Sequence, residues 1–380
     1  MRLPYSVPAV LRAVDRGEPI RIVHYQHQLR GPESGTSNAA RGWCEALARQ
    51  GVEVMGLCDR GDISRPPPLG TKTVGLEHRL GGALRIPRGA REHIKGADVV
   101  VIHGGWLLGN IVIGRVCREA GVPFLVTTHG VYVREVLQRR TLRKGVWAAL
   151  VERRHLARAA AVHVFFPDEQ ASMERAMKIK RPAIVAPNGI SYPEEVTWNG
   201  RGGYLLWLGR FDIVTKGLDL LVRAIERIPV SDRPQLRLHG PDWRNQKGQL
   251  RDLIRDLGIE SWVAVGDPVY GEDKWRLISD AIGCVYPSRW DACPVAVAEA
   301  AAVGVPMVVT RYPLGNHLVA RSAAIQVDPR VSSIAEAIPR LLSPESAEIG
   351  RNASAAARSG LTWEAVASSW LRQLETLISA

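Results

Sequence analysis

Short apolar runs, set apart by segments long enough for a helix, constrain this chain more than any other feature. In the first half they fall at 20–25, 52–57, 99–103, 123–128, 161–166 and 183–186. In the second half they fall at 204–208, 235–239, 262–265, 283–286, 307–310 and 324–327. Most are apolar throughout instead of alternating, the pattern of strands buried on both faces. Helical stretches lie between most of them, clearest at 38–50, 218–227, 248–257 and 363–377. Strands that need cover on both faces and alternate with helices predict an α/β fold, with parallel sheets between helical layers.

The alternation breaks once, at PNGISYPEEVTWNGRGG (187–203), which is rich in Gly, Pro and Asn and has no periodicity. We read this stretch as the join between two doubly wound domains, and 380 residues suffice for two cores. The expected layout is an N-terminal domain at 1–190 that includes an extension at 1–19, a linker at 191–202, and a C-terminal domain at 203–361. A last helix at 362–380, opened by Thr362 as a plausible N-cap, is expected to pack back on the first domain.

Composition removes several alternatives. The most apolar window, 295–310, is interrupted by Glu299 and reads as a helix followed by a strand, so no membrane span is expected. The first nineteen residues have their apolar part broken by Pro8, Arg12 and Asp15, and we do not read them as a signal peptide. The five cysteines are scattered, with no Cys-x-x-Cys pair, which argues against a disulfide framework and a zinc knuckle and for a reducing cytoplasm. Net charge is +12 and uneven. Between 131 and 160, Arg134, Arg139, Arg140, Arg143, Lys144, Arg153, Arg154 and Arg158 face only Glu135 and Glu152. With Val146, Trp147, Leu150 and Val151 at helical spacing, this segment reads equally well as a basic amphipathic helix resting on anionic lipid or as a solvated helix face.

In open α/β sheets ligands bind beyond the C-terminal ends of the strands, so the residues that follow each strand carry the functional signal. After 283–286 comes PSRWDACPVAVAEAAAVGVP (287–306), a polar turn that opens a helix and sets Asp291 and Glu299 eight residues apart. A helix start suits phosphate, and carboxylates suit sugar hydroxyls. Both carboxylates could be simple dipole-favouring residues. Glu299, however, sits among Val295, Val297 and five alanines, where it needs a partner that ribose hydroxyls would supply. After 204–208, Arg210 and Lys216 offer two cations near a helix entry, an anion site fit for a diphosphate. His129 follows its strand directly and can donate to a sugar hydroxyl or a phosphate oxygen, although a lone histidine is more often a packed one. His24 and His27 lack a third ligand and are not read as a metal pair. No Asp-x-Asp occurs in the chain, so the cations and the helix start take the place of a metal ion in this reading.

With these residues in hand, the chain resembles the retaining glycosyltransferases of GT-B fold, in particular the large family 4 group. The resemblance is carried by ESGTSNAARGWCEALARQGVEV with Gly35, THGVY with His129, APNGI with Asn188 and Gly189, LGRFDIVTKGLDLL with Gly209, Arg210 and Lys216, and DACPVAVAEAAAVGVPMV with Asp291 and Glu299. It implies two Rossmann-like domains facing across a cleft, the N-terminal one on the acceptor side and the C-terminal one binding a UDP- or GDP-sugar. It implies that Arg210 and Lys216 hold the diphosphate, that Glu299 binds ribose, and that Asp291 and the backbone near Cys293 meet the transferred sugar. His129 would contact that sugar from the N-terminal domain, and Gly35, Asn188, Gly209 and Val295 complete the donor positions. Two features depart from the family pattern. Asp291 stands where the family carries Glu, and Pro294 removes one N–H from the helix start, a loss tolerated at a first helical position. FFPDEQ stands where the family often has a Ser-containing turn, and no role is carried onto it.

The reaction so implied is front-face substitution: the acceptor hydroxyl attacks from the side on which the diphosphate leaves, and the leaving phosphate takes its proton. No cofactor, metal or nucleic acid is expected. The acceptor is a hydroxyl of a glycan, a lipid-linked or a small molecule, and the expected location is the cytoplasm, with contact at the inner face of the membrane added only on the lipid reading of 131–160. Two other readings remain: a nucleotide-sugar epimerase of the same fold, and a basic membrane- or nucleic-acid-binding protein without catalysis.

Overall fold

The stretch VVVIH at 99–103 has every residue buried, as does YLLWL at 204–208, and each forms the centre of a parallel sheet. The computed structural model of the chain describes residues 19–28, 35–59, 67–133 and 147–379. Residues 1–18 of the expected N-terminal extension, and Arg134, Arg139, Arg140, Arg143 and Lys144 of the basic segment, lie outside the described residues.

The chain divides into two units. Unit 1 runs to Gly189 and takes in the chain again from Trp363; unit 2 is Ile190–Thr362. In unit 1 the strands are β1 (Arg21–Tyr25), β2 (Glu53–Asp59), β3 (Thr71–Leu76), a two-stranded hairpin of β4 (His78–Arg79) and β5 (Ile86–Pro87), then β6 (Val99–His103), β7 (Phe124–Thr127), β8 (Ala161–Val164) and β9 (Ala183–Val185). The main sheet has the order β3–β2–β1–β6–β7–β8–β9, parallel throughout. The order reverses between β1 and β6, where Ile22 pairs with Val99 and Tyr25 with Ile102. β3 and the hairpin were not legible as apolar runs. β3 lies at a sheet edge with Thr71 and Thr73 only partly covered and Lys72 exposed, so its sequence need not be apolar.

The last helix, Trp363–Ser379, packs on the helix Gly35–Arg49 and on β9. Trp43 meets Trp363 edge-on at 5.6 Å and Trp370 at 6.1 Å. Gly42 and Gly189 make room for Trp363, whose ring would lie 2.0 Å and 2.4 Å from a Cβ at those positions. Gln373 covers the sheet edge by accepting from the Val185 N–H and donating to the Val185 carbonyl, each at 2.9 Å.

Unit 2 has β10 (Tyr204–Leu208), β11 (Gln235–His239), β12 (Val263–Gly266), β13 (Gly283–Tyr286), β14 (Met307–Val309) and β15 (Ile325–Gln326). The order is β12–β11–β10–β13–β14–β15, again parallel, and it reverses between β10 and β13. The Pro- and Gly-rich stretch before β10 is bonded to unit 2: the Trp198 N–H donates to the Val303 carbonyl at 2.9 Å, and its indole N–H donates to the Ala281 carbonyl at 2.8 Å.

Candidate functional site

In unit 2 the ends of β10 and β13 flank the point at which the strand order reverses, the usual ligand position in such sheets. Gly209 follows β10. Gly240, which follows β11, lies so close that a Cβ there would sit 1.6 Å from the Gly209 carbonyl oxygen. One turn of helix, Ile213–Lys216, comes next, with Asp212 as its cap accepting from the Thr215 N–H at 3.2 Å. Gly217 ends the turn in the left-handed region (φ 68°), and a Cβ there would meet the Pro287 carbonyl oxygen at 2.1 Å. Only a glycine lets the turn carrying Lys216 lie against the loop that follows β13.

Arg289 fastens the two segments together. Its backbone N–H donates to the Thr215 carbonyl at 3.0 Å and its guanidinium to the Val214 carbonyl at 2.9 Å. The same guanidinium binds both carboxylate oxygens of Asp219, each at 2.7 Å, the forked geometry available to arginine alone. Lys216 Nζ is thereby brought to Asp291 Oδ2 as an ion pair, and Asp291 Oδ1 accepts from the Ala292 N–H at 3.1 Å. Arg210 is exposed, makes no ion pair with a described residue, and stacks over Trp243 at 4.3 Å from the ring centre.

The helix Val295–Val303 starts with no side-chain cap. Pro294 precedes its first residue as the N-cap, one position earlier than the sequence suggests, and its carbonyl accepts from Val297 and Ala298. The loss of the proline N–H therefore costs the helix start nothing. Cys293 is buried beside it. Glu299 projects from this helix, and burial pushes its carboxyl above the usual carboxylate range; Lys274 opposes that shift from 2.7 Å. In sequence, the apolar run around Glu299 calls for a partner and points to a ribose. Lys274, on the helix Gly271–Asp280, was missed because a third chain segment brings it there. Its ammonium also sits over Trp275 at 4.2 Å.

In unit 1, His129 follows β7 in the left-handed region (φ 45°), and Gly130 is left-handed as well. For a side-chain-bearing residue this conformation costs on the order of 1–3 kcal/mol and persists only where its surroundings enforce it. Glu169 enforces it. Its Oε1 accepts from the Thr128 hydroxyl and, at 2.9 Å, from the Gly130 N–H, while Oε2 accepts from the Phe165 N–H at 2.8 Å. Burial pushes the Glu169 carboxyl up, and these three donors oppose the shift. Glu169 belongs to FFPDEQ, the turn to which no role was carried from sequence. Burial depresses the His129 imidazole to about 3, and His163 adds to the effect. His129 Nε2 lies 3.0 Å from His103 Nδ1, and His103 Nε2 lies 2.9 Å from His24 Nδ1.

The remaining sequence-chosen residues fall elsewhere in unit 1. Gly35 is the exposed first residue of its helix, and the loop residues 29–34 lie outside the described residues. Asn188 is buried, with its side-chain oxygen accepting from the Trp43 indole N–H at 3.1 Å. In the basic segment Leu150, Arg154 and Arg158 are exposed, whereas Glu152 is fully buried. Glu152 accepts from the Trp106 N–H (2.7 Å), the Tyr132 hydroxyl (2.9 Å) and the Trp147 indole N–H (3.2 Å). A counter-charge in the sequence is thus a buried hub in the structure, and it holds Trp106 in a left-handed conformation (φ 65°). Among the described residues no helix is long and apolar enough to cross a membrane.

Comparison with known proteins gives two family matches. The model for glycosyl transferases group 1 matches residues 202–344, and that for the glycosyl transferase 4-like domain matches 34–189. No curated protein matches the chain. Among solved structures, a sucrose-phosphate synthase from Thermosynechococcus elongatus superposes with a TM-score of 0.76 at 21% identity, over 95% of this chain and 99% of that one. Anabaena HepE in complex with UDP-glucose superposes with a TM-score of 0.74 at 15% identity, over 95% and 100%. WaaG, a glycosyltransferase involved in lipopolysaccharide biosynthesis, superposes with a TM-score of 0.68 at 17% identity, over 94% and 100%. At these identities the likeness is one of fold.

Proposed function

We propose, from the premise that this chain belongs to the group 1 glycosyltransferases and has their GT-B fold, that it moves a hexosyl group from a nucleoside diphosphate sugar to an acceptor hydroxyl, with retention of configuration and without a metal ion. The observation that carries the reading is the ion pair of Lys216 with Asp291. It joins the segments after β10 and β13 where the strand order reverses, beside an uncapped helix start. A diphosphate entering there meets Lys216, the exposed Arg210 and free backbone N–H groups. It takes Lys216 from Asp291, and that carboxylate becomes available to a sugar hydroxyl. Glu299, shared with Lys274, accepts from the ribose hydroxyls.

Catalysis on this reading is placement together with stabilisation of the charge that grows on the leaving diphosphate. As the glycosidic C–O bond breaks, the electron pair goes to the phosphate oxygen. The acceptor oxygen bonds to the anomeric carbon on the same face, and its proton passes to that phosphate. Lys216 and Arg210 stabilise the departing charge, and no side chain forms a covalent intermediate. His129 donates to a hydroxyl of the transferred sugar.

The first test is thermal stabilisation across UDP, GDP and their hexose conjugates, beginning with UDP-glucose, with and without EDTA. A true donor at a hundred times its Kd adds about 2.7 kcal/mol. Stabilisation only in the presence of a divalent cation would remove the metal-free part of the reading. Conversion of the donor sugar in the absence of any acceptor would replace transfer with epimerisation. Product NMR at first turnover, before anomers equilibrate, reads retention or inversion directly. Residues 131–160 are assigned to peripheral contact with anionic lipid at the cytoplasmic face. Sedimentation with phosphatidylglycerol vesicles and none with phosphatidylcholine vesicles is the expected result.

A further inference from the structure

Three imidazoles form a continuous row across the C-terminal ends of β1, β6 and β7, with His24 Nδ1 facing His103 Nε2 and His103 Nδ1 facing His129 Nε2. Both ring pairs have centroids 5.2 Å apart and are tilted by 30° and 34°. Burial holds all three rings neutral. A neutral imidazole has one N–H and one lone pair, so the direction of any one link in the row dictates the others. Only two arrangements satisfy both links. Protons lie either on Nδ1 of all three rings or on Nε2 of all three.

The inner end of the row decides between them. His24 Nε2 is buried with no hydrogen-bond partner among the described residues. A proton on that nitrogen would be a buried N–H with no acceptor among them, the rarer and costlier kind of orphan. A bare lone pair there requires no acceptor at all. His163, the next imidazole, cannot join the exchange. The Ala186 carbonyl at 2.9 Å accepts from its Nε2–H, and its Nδ1 is left to accept from the Thr127 hydroxyl at 3.1 Å.

We propose that His24 and His103 are positioning residues that fix the tautomer of His129. His24 Nδ1–H donates to His103 Nε2, His103 Nδ1–H donates to His129 Nε2, and His129 is left with its proton on Nδ1. That nitrogen makes no hydrogen bond with a described residue, so His129 presents a single outward N–H whose sense is set two strands away. Glu169 fixes where the ring stands; the histidine row fixes what it offers. A donor of fixed sense selects an oxygen lone pair, so a sugar hydroxyl held there must accept from His129 and turn its own proton elsewhere. This assignment of a sugar hydroxyl rests on the glycosyl-transfer reading. The tautomer itself does not.

The test begins with the full-length protein labelled with 15N-histidine and no substrate present. Long-range 1H–15N correlation is expected to show His129 with a protonated Nδ1 and a bare Nε2. The opposite pattern, or fast averaging of the two, overturns the proposal without touching the glycosyl-transfer reading. The second stage uses His24→Phe, which fills the space and removes the donor, and His24→Asn, whose amide N–H can stand in for Nδ1–H. In His24→Phe, His129 is expected to lose its single tautomer and kcat/KM for the donor sugar to fall about tenfold, equivalent to one neutral hydrogen bond. In His24→Asn both are expected to return. Equal activity in both variants, or rescue by Phe and not by Asn, assigns His24 a packing role only and overturns the proposal. A failure of the chain to use any nucleotide sugar, with the tautomer as stated, overturns the function and leaves the histidine row standing.

Discussion

Where its strand order reverses, unit 1 carries His24 and His103, and unit 2 carries Gly209, Arg210 and the loop from Pro287 to Asp291. The two units share a topology and hold opposite chemistry at its corresponding point. In unit 1 the polar groups are imidazoles sunk deep enough to stay neutral, linked to one another and clamped by a buried Glu169. In unit 2 they are ions. Lys216 and Asp291 keep 20% and 15% of their side-chain surface exposed, so each retains some hydration and can change partner. Buried neutral groups give fixed direction, and partly hydrated ions give charge that can be redirected. On the proposed function, the first reads a sugar hydroxyl and the second holds a diphosphate.

The largest expected effect tests the neutral side of this contrast. Five histidines of unit 1 have imidazoles depressed chiefly by burial: His24, His129 and His155 to about 3, His163 to about 4, and His103 well below its ordinary value. A group whose folded pKa lies below its unfolded value near 6.5 stabilises the fold fully above that pH. The stability is lost as pH falls, by up to about 1.4 kcal/mol per pH unit for each histidine. Glu169, raised by burial, has the opposite sign but is one group against five. In unit 2 the raised Glu299 gains stability on acidification. Hydrogen-exchange protection, corrected for intrinsic rates, should therefore fall in β1, β6 and β7 between about pH 6.5 and 4, ahead of β10, β13 and β14. Equal loss in both units would break the contrast.

Next in size is the ionic side. Lys216→Ala removes the cation assigned to the departing diphosphate, and kcat should fall about 10²–10³-fold, the usual loss for one preorganised electrostatic group. Steady-state kinetics with a saturating donor measures it, and near-normal turnover would end the role given to Lys216. Lys274→Met should act on binding instead, with donor KM rising about tenfold while kcat holds, because the ribose contact proposed for Glu299 would supply uniform binding. Lys274 opposes the upward push on Glu299, so its loss should also move the acid limb of kcat/KM toward neutral pH. An unmoved acid limb would separate Glu299 from donor binding.

How much of this was legible in the sequence differs between the same two units. The β-strand runs and the fully buried centres at 99–103 and 204–208 announced themselves, because a strand covered on both faces has no freedom to be polar. The edge strand β3 was silent for the converse reason. In unit 2, Arg210, Lys216, Asp291 and Glu299 all lie within two contiguous motifs, and charge in an apolar setting is conspicuous in one dimension. In unit 1 only His129 was given a sugar contact, while Gly35 and Asn188 came from the resemblance alone. The supports of His129 come from three other segments, at residues 24, 103 and 169, and a histidine at the end of an apolar strand looks like any packed residue until the strands are ordered. Glu152 and Lys274 were hidden in the same way: their partners are distant in sequence, and nothing local marks them.

The smallest effect expected is also the most selective test of how unit 2 holds its ions. Arg289 does not reach the proposed ligand in this reading; it ties the turn of Lys216 to the loop of Asp291 through two parallel bonds to Asp219 and one to the Val214 carbonyl. Arg289→Lys keeps the charge and loses the fork, so a point ammonium can satisfy Asp219 or Val214 but cannot hold both as a plane does. The fold should hardly notice, because a partly exposed pair contributes only about 0–1 kcal/mol. The distance between Lys216 and the diphosphate should notice, since small misplacement of a catalytic group is felt in rate. We therefore expect an unfolding midpoint within a few degrees of the parent and a fall in kcat of about tenfold or less, with donor KM changed by a smaller factor. Arg289→Ala should lower both stability and kcat. If the lysine variant instead loses stability with kcat intact, Arg289 is a strut of the fold alone, and the ion pair of Lys216 with Asp291 aligns itself.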